Sequence, residues 1–134
     1  VIRRTDGMMV LLNRYPYSNG HLMIAPLAHK ANLADLSAAE MSDSMQLLIE
    51  TQDALRACVH AQGFNIGMNV GPCAGAGVPD HLHWHVVPRW GGDTNYMSVV
   101  GDARVIPDAL AAVYQSMRAW WANRDAGGSD AKGS

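Results

Sequence analysis

Residues 80–90 read "DHLHWHVVPRW", and His81, His83 and His85 occupy every second position in it. On an extended strand successive side chains alternate between faces, so the three imidazoles share one face and Leu82, Trp84 and Val86 the other. The apolar set then faces a core and the histidines face a groove. The neighbouring segments read the same way. Met8 to Leu12 and His21 to Ala25 are short apolar runs separated by the turn-rich "NRYPYSNG", which suggests adjacent strands joined by a loop. Phe64 to Val70, "FNIGMNV", alternates. It puts Phe64, Ile66, Met68 and Val70 on one face and Asn65, Gly67 and Asn69 on the other, a strand with one polar or closely approached face. "MSVV", residues 97–100, is a candidate for a further short strand.

Between these strands lies "LSAAEMSDSMQLLIETQDALRACVHAQG". Ser37 followed by Glu40 is a capping box and Gly63 offers a stop. Met41, Met45, Leu48, Leu55, Cys58 and Val59 repeat at three- and four-residue steps, which predicts a long amphipathic helix. Its sulfur-bearing residues are better explained by core packing than by a soft-metal site. From Pro107, "PDALAAVYQSMRAWW" predicts a terminal helix, with proline suited to its first turn. The small, polar residues 124–134 read as a flexible tail, leaving residues 1–123 as one domain. Strands, helix, strands, helix favours an antiparallel α+β domain.

The chain has 134 residues, 49% of them hydrophobic and 16% charged, the profile of a globular protein. A net charge of −2 gives no global attraction to nucleic acid or a membrane surface, so any phosphate binding must come from local groups. No apolar run approaches the length of a membrane span. Cys58 and Cys73 stand in unlike contexts and read as reduced thiols of a cytoplasmic protein. The sequence opens at Val1, as expected where a natural N-terminus is missing or processed.

Three alternating histidines can serve a metal, a wet surface or an anion. At about 3.3 Å per residue, His81 and His85 lie roughly 13 Å apart along a strand. Zinc holds nitrogens at about 2.0–2.1 Å, so one ion would need severe convergence of the outer rings. A pair of them with a ligand from elsewhere, such as His21, His29 or His60, remains open. A merely polar face does not require three consecutive histidines. Chemistry on an anion does: near neutral pH an imidazole serves as nucleophile, acid or cationic clamp. The "GPCAGAG" loop just upstream offers backbone N–H groups without side-chain obstruction, a shape suited to phosphate oxygens.

At this point the residues resemble a known family. "HLHWHVV" is similar to the His-φ-His-φ-His-φ-φ signature of the histidine triad (HIT) superfamily of nucleotide hydrolases and transferases. "LLNRYPYSNGHLMIAP" looks like its early strand pair and "GMNVGPCAGAG" like its phosphate-side loop. "HVVPRWGGD" looks like the continuation in the fragile-histidine-triad-like branch, which includes diadenosine tetraphosphate phosphorylases and hydrolases. The resemblance covers about residues 8–120. It implies a five-stranded antiparallel sheet with one long and one C-terminal helix, and a homodimer with a continuous sheet. It also implies a nucleotidyl-histidine intermediate formed on an adenine (di)nucleotide such as a dinucleoside polyphosphate.

Carried onto this chain, the resemblance makes His83 the nucleophile, flanked by His81 and His85, with His21 as the further histidine near the triad. Asn13 falls where the family holds ribose hydroxyls, and Asn69 where an amide contacts phosphate. Gly75 and Gly77 fall in the phosphate-side loop, and Arg89 in a matching "PR" pair. Leu12 and Ile24 are the candidates for apolar contact with the base; Arg14, Tyr15 and Tyr17 are weaker ones. Trp84, Trp120 and Trp121 read as packing residues. No metal or tightly bound cofactor is expected, with magnesium entering on the substrate. Relatives commonly carry Ser, Thr or Gln shortly before the first histidine, whereas Gly77, Val78 and Pro79 stand here. The second-step acceptor is therefore open between water, for a hydrolase, and inorganic phosphate, for a phosphorylase. A nucleotide-binding signalling module with little turnover and a zinc-dependent hydrolase are the readings of other kinds.

Overall fold

A computed structural model describes residues 1–13, 20–74, 81–92 and 106–133. Five strands form one antiparallel sheet: β1 (Arg3–Arg4), β2 (Met8–Leu12), β3 (Leu22–Pro26), β4 (Gly63–Met68) and β5 (Trp84–Arg89), in the order β1-β2-β3-β5-β4. Helix α1 (Ala38–Val59) follows β3, and α2 (Ile106–Gly133) closes the described chain. The α+β architecture expected from the sequence is present. The candidate strand at 97–100 lies outside the described residues.

Register explains which residues meet. Leu12 pairs with Leu22 and Val10 with Ile24 across β2–β3; Leu22 pairs with Val86 and Ile24 with Trp84 across β3–β5. These residues share one face, and α1 covers it with Leu47, Ala54 and Leu55. Val10, Leu22, Ile24, Leu55 and Val86 are fully buried, each contributing about 1.5–3 kcal/mol relative to an exposed position. Helix α2 adds Val113, Met117 and Trp121 to the same core. It is held to α1 by Trp121 Nε1, which donates to buried Glu50 Oε1 at 2.9 Å, while Gln46 Nε2 donates to Glu50 Oε2 at 3.0 Å.

Helix α1 begins as its sequence predicts. Ser37 Oγ accepts from Glu40 N–H at 3.0 Å and Glu40 Oε1 accepts from Ser37 N–H at 2.8 Å, closing the capping box. Its end differs. His60, in the left-handed region at φ 57°, terminates the helix, and Gly63 is instead the first residue of β4. Met41 and Met45, read as part of the buried stripe, are each 49% exposed. The buried stripe passes through Ser44, Leu47, Thr51 and Ala54, about a third of a turn away. Helix α2 continues to Gly133, through the segment 124–134 read as a tail. Arg3 pairs with Asp125 there, tying that part of the helix to β1.

Candidate active site

The face of the sheet opposite α1 carries the histidines. Met23 pairs with His85 and Leu11 with Met23, so Leu11, Met23 and His85 form one row on that face. The parity of β3 puts His21 there as well, and Asn13 N–H donates to the His21 carbonyl at 2.9 Å, setting these two side by side. Gly20, with φ of 90°, turns the chain into this position. A Cβ at Gly20 would approach Leu55 Cδ2 to 3.1 Å and Pro88 Cγ to 3.3 Å, so both the conformation and the space require glycine.

Strand β5 starts at Trp84, so His85 alone of the triad lies within it; His81 and His83 precede it. The alternation nevertheless holds, with Leu82 and Val86 buried toward the core and Trp84 packed against it. The expected strand over residues 81–87 is thus shifted toward the C-terminus. Leu82 N–H donates to the Lys30 carbonyl at 2.7 Å, a contact outside the sheet ladder. It fixes the segment that holds His81 and His83.

Each ring is oriented by a hydrogen bond with one sense. His81 Nε2 donates to the Pro26 carbonyl at 2.9 Å. His83 Nδ1 donates to the His81 carbonyl at 3.0 Å. A carbonyl only accepts, so His83 Nδ1 carries a proton, and in the neutral ring the lone pair is on Nε2. Asn13 Nδ2 donates to His21 Nδ1 at 2.9 Å, and His21 Nε2 is 3.0 Å from His85 Nδ1. The His83 and His85 rings meet edge to face with centroids 4.7 Å apart. Burial first, then the neighbouring charges of His85 and His83, lowers the His21 pKa to about 4. Burial and then His83 lower that of His85. His21 is therefore neutral at physiological pH.

Beside this cluster the surface is open. Gly67 pairs with His85, and no atom lies within 4 Å of where its Cβ would be. The β4–β5 pairing ends at Met68 and Trp84, and Asn69 and His83 are the residues immediately beyond it. A ring nitrogen, an amide residue and a side-chain-free position thus occur together at this end of the β4–β5 pair, an arrangement suited to attack on a phosphorus bearing anionic oxygens.

The structure brings together His21, His83, His85 and Asn13, and joins His81 to them through its carbonyl, which accepts from His83. Two of the expected base contacts are misplaced. Ile24 is fully buried in the core, and Leu12 shares its face. Their neighbours Leu11 and Met23, half-buried beside His85, occupy the site face instead. Counting parity from His21 would have found them, since residues 21 and 23 share a face whereas 24 does not. Arg89 lies at the far end of β5, where its guanidinium donates to Asn65 Oδ1 at 2.6 Å. It is not gathered with the histidines. Gly75, Gly77, Arg14, Tyr15 and Tyr17 lie outside the described residues. His29, which the motif does not contain, stacks on His81 with centroids 5.1 Å apart. Among the described residues no three His, Cys, Asp or Glu side chains are grouped as a metal site.

The family model of the HIT domain matches residues 1–92. The chain is 39% identical over 127 residues to the AP-4-A phosphorylase of Mycobacterium tuberculosis, covering 92% of this chain and 64% of that protein. It is 32% identical over 89 residues to the asymmetrical bis(5'-nucleosyl)-tetraphosphatase of Schizosaccharomyces pombe, covering 66% of this chain and 48% of that one. The chain thus spans less than two thirds of the length of these curated relatives. Among solved structures, a Zn-bound histidine triad family protein from Mycobacterium smegmatis superposes with a TM-score of 0.73 at 28% identity, covering 94% of this chain and 86% of that chain.

Proposed function

Since the chain belongs to the HIT domain family, we propose that it transfers a nucleoside monophosphate from a dinucleoside polyphosphate through a covalent intermediate on His83. The observation that carries this reading is the His83 hydrogen bond to the His81 carbonyl, which makes Nε2 the lone-pair nitrogen of the neutral ring. Nε2 attacks the α-phosphorus. A P–N bond forms as the bond to the bridging oxygen breaks, and its electron pair leaves with the nucleoside polyphosphate. In the second step an acceptor oxygen attacks the same phosphorus and the pair of the P–N bond returns to Nε2. His85 and Asn69 face the oxygens on which charge accumulates. His81 is held by Pro26 and supplies the carbonyl that orients the nucleophile.

Inorganic phosphate is the favoured acceptor, because the phosphorylase relative is similar over 92% of this chain and the tetraphosphatase relative over 66%. A net charge of −2 gives the protein no global attraction to nucleic acid or a membrane surface. Two free thiols fit the reducing cytoplasm. A homodimer is supported by Met41, Met45 and Ile49 of α1 and Ile66 of β4, all exposed apolar side chains.

The test is a timed assay with diadenosine tetraphosphate, with and without phosphate, resolving every nucleotide. ADP and ATP appearing only with phosphate is the expected result, and AMP and ATP in plain buffer would make water the acceptor. His83→Asn should fold normally, since the ring lies at the cleft, yet lose turnover by 10³-fold or more, of order 4 kcal/mol. Undiminished turnover in that variant would remove His83 from the reaction.

A further inference from the structure

Asn13 makes a contact that a purely substrate-binding residue does not need. Its side-chain nitrogen is 2.9 Å from His21 Nδ1. An amide nitrogen only donates, so Nδ1 of neutral His21 is an acceptor and the ring proton is on Nε2. His21 Nε2 then donates to His85 Nδ1 at 3.0 Å. That in turn places the His85 proton on Nε2, the only nitrogen of the pair left to meet a ligand. Reversing the first bond reverses the whole row: His85 would then donate from Nδ1 and present a lone pair to an anionic oxygen. One amide thus decides whether the last atom of the row attracts or repels phosphate.

We infer that Asn13 is a positioning residue whose side-chain amide sets the tautomers of His21 and His85, so that His85 Nε2 presents a hydrogen to a phosphoryl oxygen of the substrate. This rests on the nucleotidyl-transfer reading for the identity of that oxygen, but the tautomers themselves are a property of the free protein. The row works because His21 is neutral. A ring with a proton on both nitrogens would set an N–H of His21 against the N–H of Asn13, donor facing donor.

Asn13→Asp separates this role from a structural or ribose-binding one. A carboxylate accepts, so His21 Nδ1 must carry a proton in the variant. While His21 is an imidazolium it still donates to His85, and His85 keeps its Nε2 hydrogen. Once His21 is neutral the row reverses. The ratio of variant to parent kcat should therefore fall tenfold or more as pH rises through the His21 pKa, which the new carboxylate raises, with little change in KM. ¹⁵N NMR of the imidazoles should show Nε2–H on His21 and His85 in the parent, and Nδ1–H on His85 in the variant at high pH. Asn13→Leu, which holds neither tautomer, should show both forms of His85 and a several-fold loss at all pH values. A kcat ratio independent of pH, a change confined to KM, or Nδ1–H on His21 in the parent would overturn the inference. A parent without turnover on dinucleoside polyphosphates would overturn the proposed reaction instead, and the nitrogen shifts would still decide the tautomers.

Discussion

Protonating His21 in the folded protein brings a charge into a buried position beside two other imidazoles, which is why its pKa falls to about 4. In the unfolded chain the same ring titrates near about 6.5. Between those values the unfolded state binds the extra proton, so stability rises with pH there. The contribution is complete above about pH 6.5 and lost as pH falls towards 4. Its size is of order 1–3 kcal/mol, below the full linkage value because solvent screens part of the ring. The lowered pKa of His85 acts in the same direction. His21→Gln should flatten the fall in Tm between pH 7 and 4, and an unchanged slope would assign the acid sensitivity elsewhere. Adjacent residues on β3 provide a second contrast. Met23→Ala should change KM for a nucleotide substrate while leaving Tm nearly unaltered. Ile24→Ala should destabilise by about 2–5 kcal/mol through the cavity it leaves in the core. Equal effects of the two substitutions on Tm would mean that the strand does not divide the faces in this way.

Whole elements were more legible in the sequence than their edges. Strand β2 lies at the predicted residues because its apolar run is bounded by turn residues. The triad was legible as chemistry because three histidines on one parity have no cheap packing explanation. Strand β1 was not legible: its two arginines carry no apolar alternation, and it forms because the chain before β2 folds back along it. Misplacing the base contacts by one residue came from treating an apolar run as one surface when a strand has two. Helix α2 departs from what its composition suggests. Its polar last turns remain helical where local propensity, with Gly127 and Gly128, argues for fraying. The anchor nearer its middle is the Trp121–Glu50 hydrogen bond. Trp121→Phe removes that donor from a buried carboxylate and should cost about 2 kcal/mol in denaturant unfolding. Turnover should be unaffected, because this contact lies on the core side of the sheet. A midpoint equal to that of the parent would show that Gln46 and Arg124, whose Nε lies 3.8 Å from Glu50 Oε1, suffice for Glu50.

At the scale of the molecule, exposed apolar residues gather on α1 and at β4, whereas Val1, Leu27 and Leu33 lie elsewhere. Met41, Met45 and Ile49 recur every four residues on α1 and are each about half exposed, a stripe beside the one that enters the core. Arg56, seven residues after Ile49, continues the stripe and places its guanidinium 5.1 Å from the centroid of Phe64 in β4. The stripe therefore runs onto β4, an edge strand of the sheet, where Ile66 is 41% exposed, and Val70 just beyond the strand is 42% exposed. An edge strand with apolar side chains is a template for pairing, and a self-complementary patch on helix and edge together suits a two-fold contact between copies. The histidines lie on the opposite face of the sheet, so disrupting this contact need not touch them. Met45→Lys with Ile49→Lys should place like charges against each other across the two-fold and convert the protein to a monomer by sedimentation. If the parent is a dimer whose folding and association are linked, its Tm will rise with protein concentration and that of the variant will not. A parent that sediments as a monomer at all concentrations would leave the stripe to some other partner and end the two-fold proposal.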